Sequence, residues 1–87
     1  MSQPKLLDTV AILDNLPGDR LSLVEPDVQA VDYLPMGLVG TIVHVFEHND
    51  KVHYLIEFSD SQGREYATAT LSVTEFLVLH QELQLSS

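Results

Sequence analysis

The chain has no cysteine and no tryptophan, and only four of its 87 residues are Lys or Arg. Each scarcity removes a class of chemistry. Without cysteine there is no disulfide scaffold, no iron–sulfur cluster, no thiolate zinc site and no cysteine nucleophile. Four basic against thirteen acidic side chains give a formal net charge of -9. The basic footprint that non-specific nucleic-acid binding requires is therefore missing. No apolar run approaches the roughly 20 residues that cross a bilayer. Met1-Ser2-Gln3-Pro4-Lys5 carries one cation and no long apolar block, unlike a secretory signal. The expectation is a cytoplasmic protein with neither nucleic acid nor membrane among its partners.

What is present is enough for a core. Hydrophobic residues make up 45% of the chain, which sets it apart from disordered acidic segments. One domain spans 1–87, with 5–85 as its ordered part. A domain this small buries only about 60–65% of its unfolded surface, so modest stability is expected. Between Leu6 and Asp50 stand Asp8, Asp14, Asp19, Glu25, Asp27, Asp32, Glu47 and Asp50, opposed only by Arg20. Such a surface repels phosphate and favours basic partners.

Strand signals dominate. Leu6–Leu13 alternates Val10 and Ile12 against Thr9, Ala11 and Leu13, and ends at Asn15-Leu16-Pro17-Gly18-Asp19. Residues 21–36 carry Pro26 and Pro35 and no regular period. They read as a long inserted loop folded over the rest, with room for one helical turn at Asp27–Val31. Gly37–Glu47 is the clearest strand, and Val52–Phe58 follows as its hairpin partner across a four- or five-residue loop. Arg64–Leu71 alternates Ala67, Ala69 and Leu71 against Tyr66, Thr68 and Thr70. Ser72-Val73-Thr74-Glu75 has the S-x-x-E form of a capping box. It starts a single helical or 3₁₀ turn before a closing strand at Phe76–Leu79. A helix over Val73–Gln84 is the rival reading there. These elements predict an all-β fold: a small five-stranded antiparallel SH3-like barrel with a long loop after its first strand.

The block from Gly37 resembles the KOW and SH3-like pattern GxxGTVVxV followed by YxVxF. More closely, the chain resembles a family of small uncharacterised bacterial proteins, often cyanobacterial, with the order LLDxVALLxDLP, GxxGTVVEV, YEVEF, DxxGRTYALLTL and LL(x)L. The matching residues are Leu6 to Leu13, Leu16-Pro17, Gly37 with Gly40 to Val45, Tyr54 to Phe58, Asp60, Gly63 to Ala67, Thr70-Leu71 and Leu77 to Leu79. The match covers about three quarters of the chain. Two features depart from it: residues 21–36 look inserted, and His44 stands where glutamate is common. The resemblance implies an SH3-like barrel and carries over no catalytic residue, and a fold alone does not supply a function.

His44, His48, His53 and His80, with Glu47 and Asp50 nearby, are the residue types of a zinc or nickel site. They lack an H-x₃-H helix or an H-x-H strand spacing, so exposed histidines and no metal are expected. Serines stand only at termini, in turns and in the cap, and no nucleophile–base pair is legible. No enzyme and no cofactor is expected. Arg64 is expected to pair with Asp60, Glu57 or Glu65, with recognition as its alternative role. If Val43, Val45, Tyr54, Ile56 and Phe58 fill the barrel, Ile42, His44, Phe46 and Leu55 point outward. An outward apolar patch marks an interface unless the loop covers it. Candidate interaction residues are therefore Ile42, His44, Phe46, Leu55, Tyr33 and Arg64. The reading is a protein-interaction or regulatory module that binds an unknown protein partner or forms a homo-oligomer. The alternative is an acidic nucleic-acid mimic, an antitoxin-like inhibitor of a basic partner such as a nuclease.

Overall fold

A computed structural model describes residues 3–23 and 32–79. The described residues form eight strands: β1 (Thr9–Ile12), β2 (Leu16–Pro17), β3 (Leu21–Leu23), β4 (Tyr33–Leu34), β5 (Val39–His48), β6 (Lys51–Ser59), β7 (Glu65–Leu71) and β8 (Phe76–Val78). The only helical pieces among the described residues are 3₁₀ turns at Gly18–Arg20 and Val73–Glu75. Six strands make one antiparallel sheet in the order β3-β7-β6-β5-β1-β8, while β2 and β4 pair separately.

The fold is mostly β, as expected, but it is not the closed five-stranded barrel. No pairing among the described residues joins β3 to β8, so the sheet is open at both end strands. The sheet nevertheless curls around its core. Tyr54 of β6 meets Phe76 of β8 edge-to-face at 5.4 Å between ring centroids, although the two strands are not paired. Part of the region expected as an inserted loop is strand. Leu21–Leu23 pairs with Ala67–Ala69 of β7, and Tyr33–Leu34 pairs with Leu16–Pro17. The expected helical turn at Asp27–Val31 lies outside the described residues.

The core consists of Val10 and Ile12 from β1, Ile42 from β5, Tyr54, Ile56 and Phe58 from β6, Ala67, Ala69 and Leu71 from β7, and Phe76 from β8, with Leu16 and Leu34 from the small sheet. Neighbouring strands alternate in bulk. Ala69 opposes Ile56 and Ala67 opposes Phe58, so the small residues of β7 make room for the large ones of β6.

The β5–β6 hairpin turns on two residues, not four or five. Asn49 and Asp50 have φ of 52° and 66°, and His48 pairs directly with Lys51. Positive φ at both central positions is the type I′ geometry that matches strand twist, and Asn and Asp tolerate it. At the other end of the chain the expected strand–turn order holds. Glu75 reaches back to accept the Ser72 N–H at 3.0 Å, completing the capping box, and Phe76–Val78 then pairs with β1. Of the rival helix over Val73–Gln84, residues 73–79 are turn and strand, and the rest lie outside the described residues.

Candidate functional site

In an antiparallel pair, residues directly opposite share a face. Ile42 opposes Ile56, and both are fully buried. Ile42 therefore faces the core, which corrects the expectation that it points outward. The cause is a bulge between Ile42 and His44. One extra residue, Val43, shifts the alternation, so Ile42 before it points inward while His44 and Phe46 after it point outward. Val45 returns to the inner side opposite Tyr54 and is half-buried.

The outward face of the hairpin then assembles from the register. His44 opposes Leu55, and Phe46 opposes His53. The His44 and Phe46 rings meet edge-to-face at 4.4 Å between centroids, inclined at 62°. Phe46 is 42% exposed, and Leu55 is half-buried beside it. Three of the six expected interaction residues, His44, Phe46 and Leu55, are thus brought together.

The other two lie elsewhere. Tyr33 is 54% exposed but belongs to the small β2–β4 sheet, which no strand pairing among the described residues joins to β5. Arg64 sits at the β6–β7 turn, at the opposite end of β6 from the hairpin tip. Its guanidinium bonds Asp60 at 3.2 Å, one of the pairings expected for it. Asp60 organises that turn. Its carboxylate accepts the N–H of Gln62 and of Arg64, both at 2.9 Å. The Arg64 backbone bond, with the Gln62 bond and the Arg64 charge, holds the Asp60 carboxyl below its ordinary range. The pair is exposed and adds on the order of 0–1 kcal/mol.

A second ion pair was not foreseen. Arg20 bonds Glu75 through both nitrogens, Nη1 to Oε2 at 2.9 Å and Nη2 to Oε1 at 3.2 Å, and Nη2 also donates to the Thr70 carbonyl at 3.2 Å. It ties the first 3₁₀ turn to the second. The one signal for it was that Arg20 stands alone among the eight acids from Asp8 to Asp50. The Arg20 hydrogen bond pulls the Glu75 carboxyl below its usual value. A depressed carboxylate stabilises the fold above its unfolded-state pKa, and that contribution is lost as pH falls through the folded value.

Glu57 behaves oppositely. It lies on the outer face between Thr41 and Thr68. Burial first, then the hydrogen bond and charge of Glu65, push its carboxyl above the ordinary range. A raised carboxylate favours the fold below its unfolded-state pKa and loses that contribution as pH rises through the folded one. Glu57→Gln should therefore raise the urea midpoint at pH 7, and the gain should vanish below about pH 3, where glutamate is neutral in both states. Urea titrations of the two proteins at both pH values check this.

Among the described residues no three His, Asp or Glu side chains converge as a metal site. His44 and His53 occupy diagonal positions on the outer face, His48 opposes Lys51, and His80 lies outside the described residues. An apolar recess of about 240 Å³ is lined by Gln3, Pro4, Val52, Tyr54 and Val73. It is smaller than the roughly 300–1,000 Å³ typical of small-molecule sites. Among the described residues no helix is long and apolar enough to cross a membrane.

No curated protein and no solved structure matches the chain. One family does, over residues 6–78: the domain of unknown function DUF4926. That span takes in β1, the whole β5–β6–β7 meander and the closing strand β8, so the chain belongs to the DUF4926 family.

Proposed function

We propose that this protein is a non-catalytic interaction module that docks a protein partner on the outward face of the β5–β6 hairpin. One observation carries the reading: His44, Phe46 and Leu55 form a contiguous aromatic and apolar cluster on a sheet face whose reverse side fills the core. Aromatic side chains held on rigid strands are effective anchors, because little entropy is lost on binding. The acidic surroundings then tune orientation and encounter rate more than affinity.

Phe46→Asp tests this. Phe46 is exposed, so the fold should survive, with a change in thermal midpoint of only a few degrees. Capture of a stoichiometric partner from the native host by the tagged protein should fall at least about tenfold, the loss expected for a central anchor. Capture unchanged by the substitution would sink the reading.

A second reading, the acidic mimic of a nucleic acid, is favoured by a different observation. Two of the four basic side chains, Arg20 and Arg64, are occupied by internal ion pairs, which leaves the remaining acids still less balanced. Under this reading, capture should be lost between low and high salt and should not depend on Phe46.

A further inference from the structure

The outer face of the β5–β6 hairpin differs in charge from the rest of the chain. Opposed residues share a face, so the His48–Lys51, Phe46–His53 and His44–Leu55 pairs all stand on it. Three of the four histidines and one of the four Lys or Arg residues are therefore gathered around one phenylalanine. His44, Phe46, His48 and Lys51 are exposed, and His53 and Leu55 are half-buried. No carboxylate belongs to these three pairs.

The acids of the hairpin lie around this group and not within it. Glu47 opposes Val52 on the reverse side. Asp50 sits in the turn. Glu57 follows Leu55 on the same face, and its carboxyl is engaged by Glu65 of β7 in a hydrogen bond. Where β7 lies beside Leu55 it presents Thr70. On the β1 side the Asp8 carboxylate accepts the Lys5 N–H at 3.0 Å. Among the described residues Lys51 has no carboxylate within ion-pair distance, whereas Arg20 and Arg64 are both paired.

These donors have one class of complement. Lys51 offers three N–H donors and accepts nothing. A neutral imidazole offers one donor, and a protonated one offers two. Histidine is the side chain that gains charge between about pH 8 and pH 5. The face therefore becomes more cationic as pH falls through that range, in a chain whose formal charge is -9. A lysine- or arginine-rich segment placed here meets like charge. A carboxylate meets donors, and its hydrogen bonds are strongest to charged ones. Phe46 stands in the middle, with His44 and His48 on either side along β5 and His53 across from it, so the complement also carries an apolar side chain. The acids elsewhere on the surface do not decide the contact, because in physiological salt exposed charges more than about 8 Å apart are largely screened.

We infer that the occupant of this face is an acidic peptide segment. Its aromatic or aliphatic residue seats against Phe46 and Leu55, and its Asp or Glu carboxylates take the donors of Lys51 and the histidines. The inference rests on the interaction-module reading and names the chemistry of its partner. Charge complementarity selects that partner over a basic one: a basic segment is drawn to the carboxylates of the turns and of the reverse side, an acidic one to this face.

Panning a random heptapeptide display library on the immobilised protein at about pH 6, followed by calorimetry of the recovered peptides, tests this. The peptides should be rich in Asp and Glu beside Phe, Leu or Ile, and poor in Lys and Arg. Their affinity should fall at least about fivefold from about pH 6 to pH 8, as imidazolium is lost. Lys51→Glu, at an exposed position, should weaken binding at least about tenfold. Phe46→Ala, which removes the ring and adds no charge, should weaken it by a similar factor. The double variant His44→Gln, His53→Gln keeps neutral donors on the face but cannot gain charge there. It should bind nearly as the wild type does at about pH 8 and lose most of the gain at about pH 6. An unchanged circular dichroism spectrum shows that each variant is folded. Recovery of basic peptides, of uncharged peptides or of none overturns the inference, as does an acidic peptide whose binding ignores both pH and Lys51→Glu. A single-stranded oligonucleotide that binds through Phe46 and Lys51 where acidic peptides do not also overturns it. If the recovered peptides are basic and lose affinity in Phe46→Ala, the inference falls and the interaction-module reading stands. If no peptide and no captured protein responds to substitution of Phe46, both fall.

Discussion

Phe58→Ala should destabilise the protein by about 3–5 kcal/mol, the cost of removing a buried phenyl ring and leaving a cavity. Phe58 is fully buried at the heart of β6. It opposes Ala67 on one side, and its ring lies over Gly40 on the other, with Cδ1 3.0 Å from where a Gly40 Cβ would stand. Neither neighbour has a side chain that could swing into the vacated space, so little relaxation is available. Total stability at roughly 0.05–0.15 kcal/mol per residue is about 4–13 kcal/mol for a chain of this size. The substitution removes a large share of it. For domains of this length each kcal/mol shifts the midpoint by about 4–8 °C, so a fall of roughly 12–40 °C is expected by differential scanning calorimetry. Phe46→Ala is the control. The same residue type, 42% exposed on the outer face, should cost under about 1 kcal/mol by the same transfer argument. Equal losses at Phe46 and Phe58 would show that the inward and outward faces of the hairpin are assigned wrongly.

The contrast between those two phenylalanines also shows how far the fold was legible in the sequence. In β6 His53 and Glu57 mark the outer face and only Leu55 breaks the polar–apolar alternation, so Tyr54, Ile56 and Phe58 face inward as the period predicts. In β7 the alanines mark the inner face as read. β5 defeats the same reading because both of its faces are apolar. In Val-Gly-Thr-Ile-Val-His-Val-Phe the two polar residues, Thr41 and His44, fall on opposite alternations, so a period of two does not place the faces, and a bulge of one residue exchanges the faces beyond it. Ile42 was therefore placed outside and is inside, while His44 and Phe46 were placed outside and are there.

Local chemistry was legible where it is self-contained, as in the Ser72–Glu75 cap and the Asp60–Arg64 turn. The first strand was read too long, because Leu6 and Leu7 continue its apolar pattern. In the structure they form a turn, with Leu7 at φ 73°. Contacts that depend on distant chain segments were not legible. Arg20 and Glu75 are 55 residues apart. Closure of the sheet was inferred from strand count, yet it depends on how far β3 and β8 extend, which no periodicity records. The candidate site shares this division. Its residue types were visible, but its membership was set by a register that only pairing reveals.

Gly40→Ala should cost about 2 kcal/mol, and the reason lies in the same contact that makes Phe58 important. Gly40 is buried in β5 next to Val10 of β1. A Cβ there would stand 2.6 Å from Ile56 Cγ2, 3.0 Å from the Glu57 carbonyl oxygen and 3.0 Å from the Phe58 ring. Cγ2 of a β-branched residue cannot swing away without turning the whole side chain, and the carbonyl belongs to the strand backbone. Relief requires β5 and β6 to separate locally or Ile56 to leave its rotamer, and overpacking of this kind costs about 1–3 kcal/mol. The gain of about 0.4–1 kcal/mol from a stiffer unfolded chain offsets only part of it. Placed in the Phe58→Ala background, the same substitution should cost less. The cavity left by the ring gives Ile56 somewhere to move, so the two losses should be sub-additive by about 0.5–2 kcal/mol, as for residues in direct contact. Urea unfolding of the two single variants and the double variant measures that coupling. Strictly additive losses would mean that Gly40 is required for its backbone and not for the space above it.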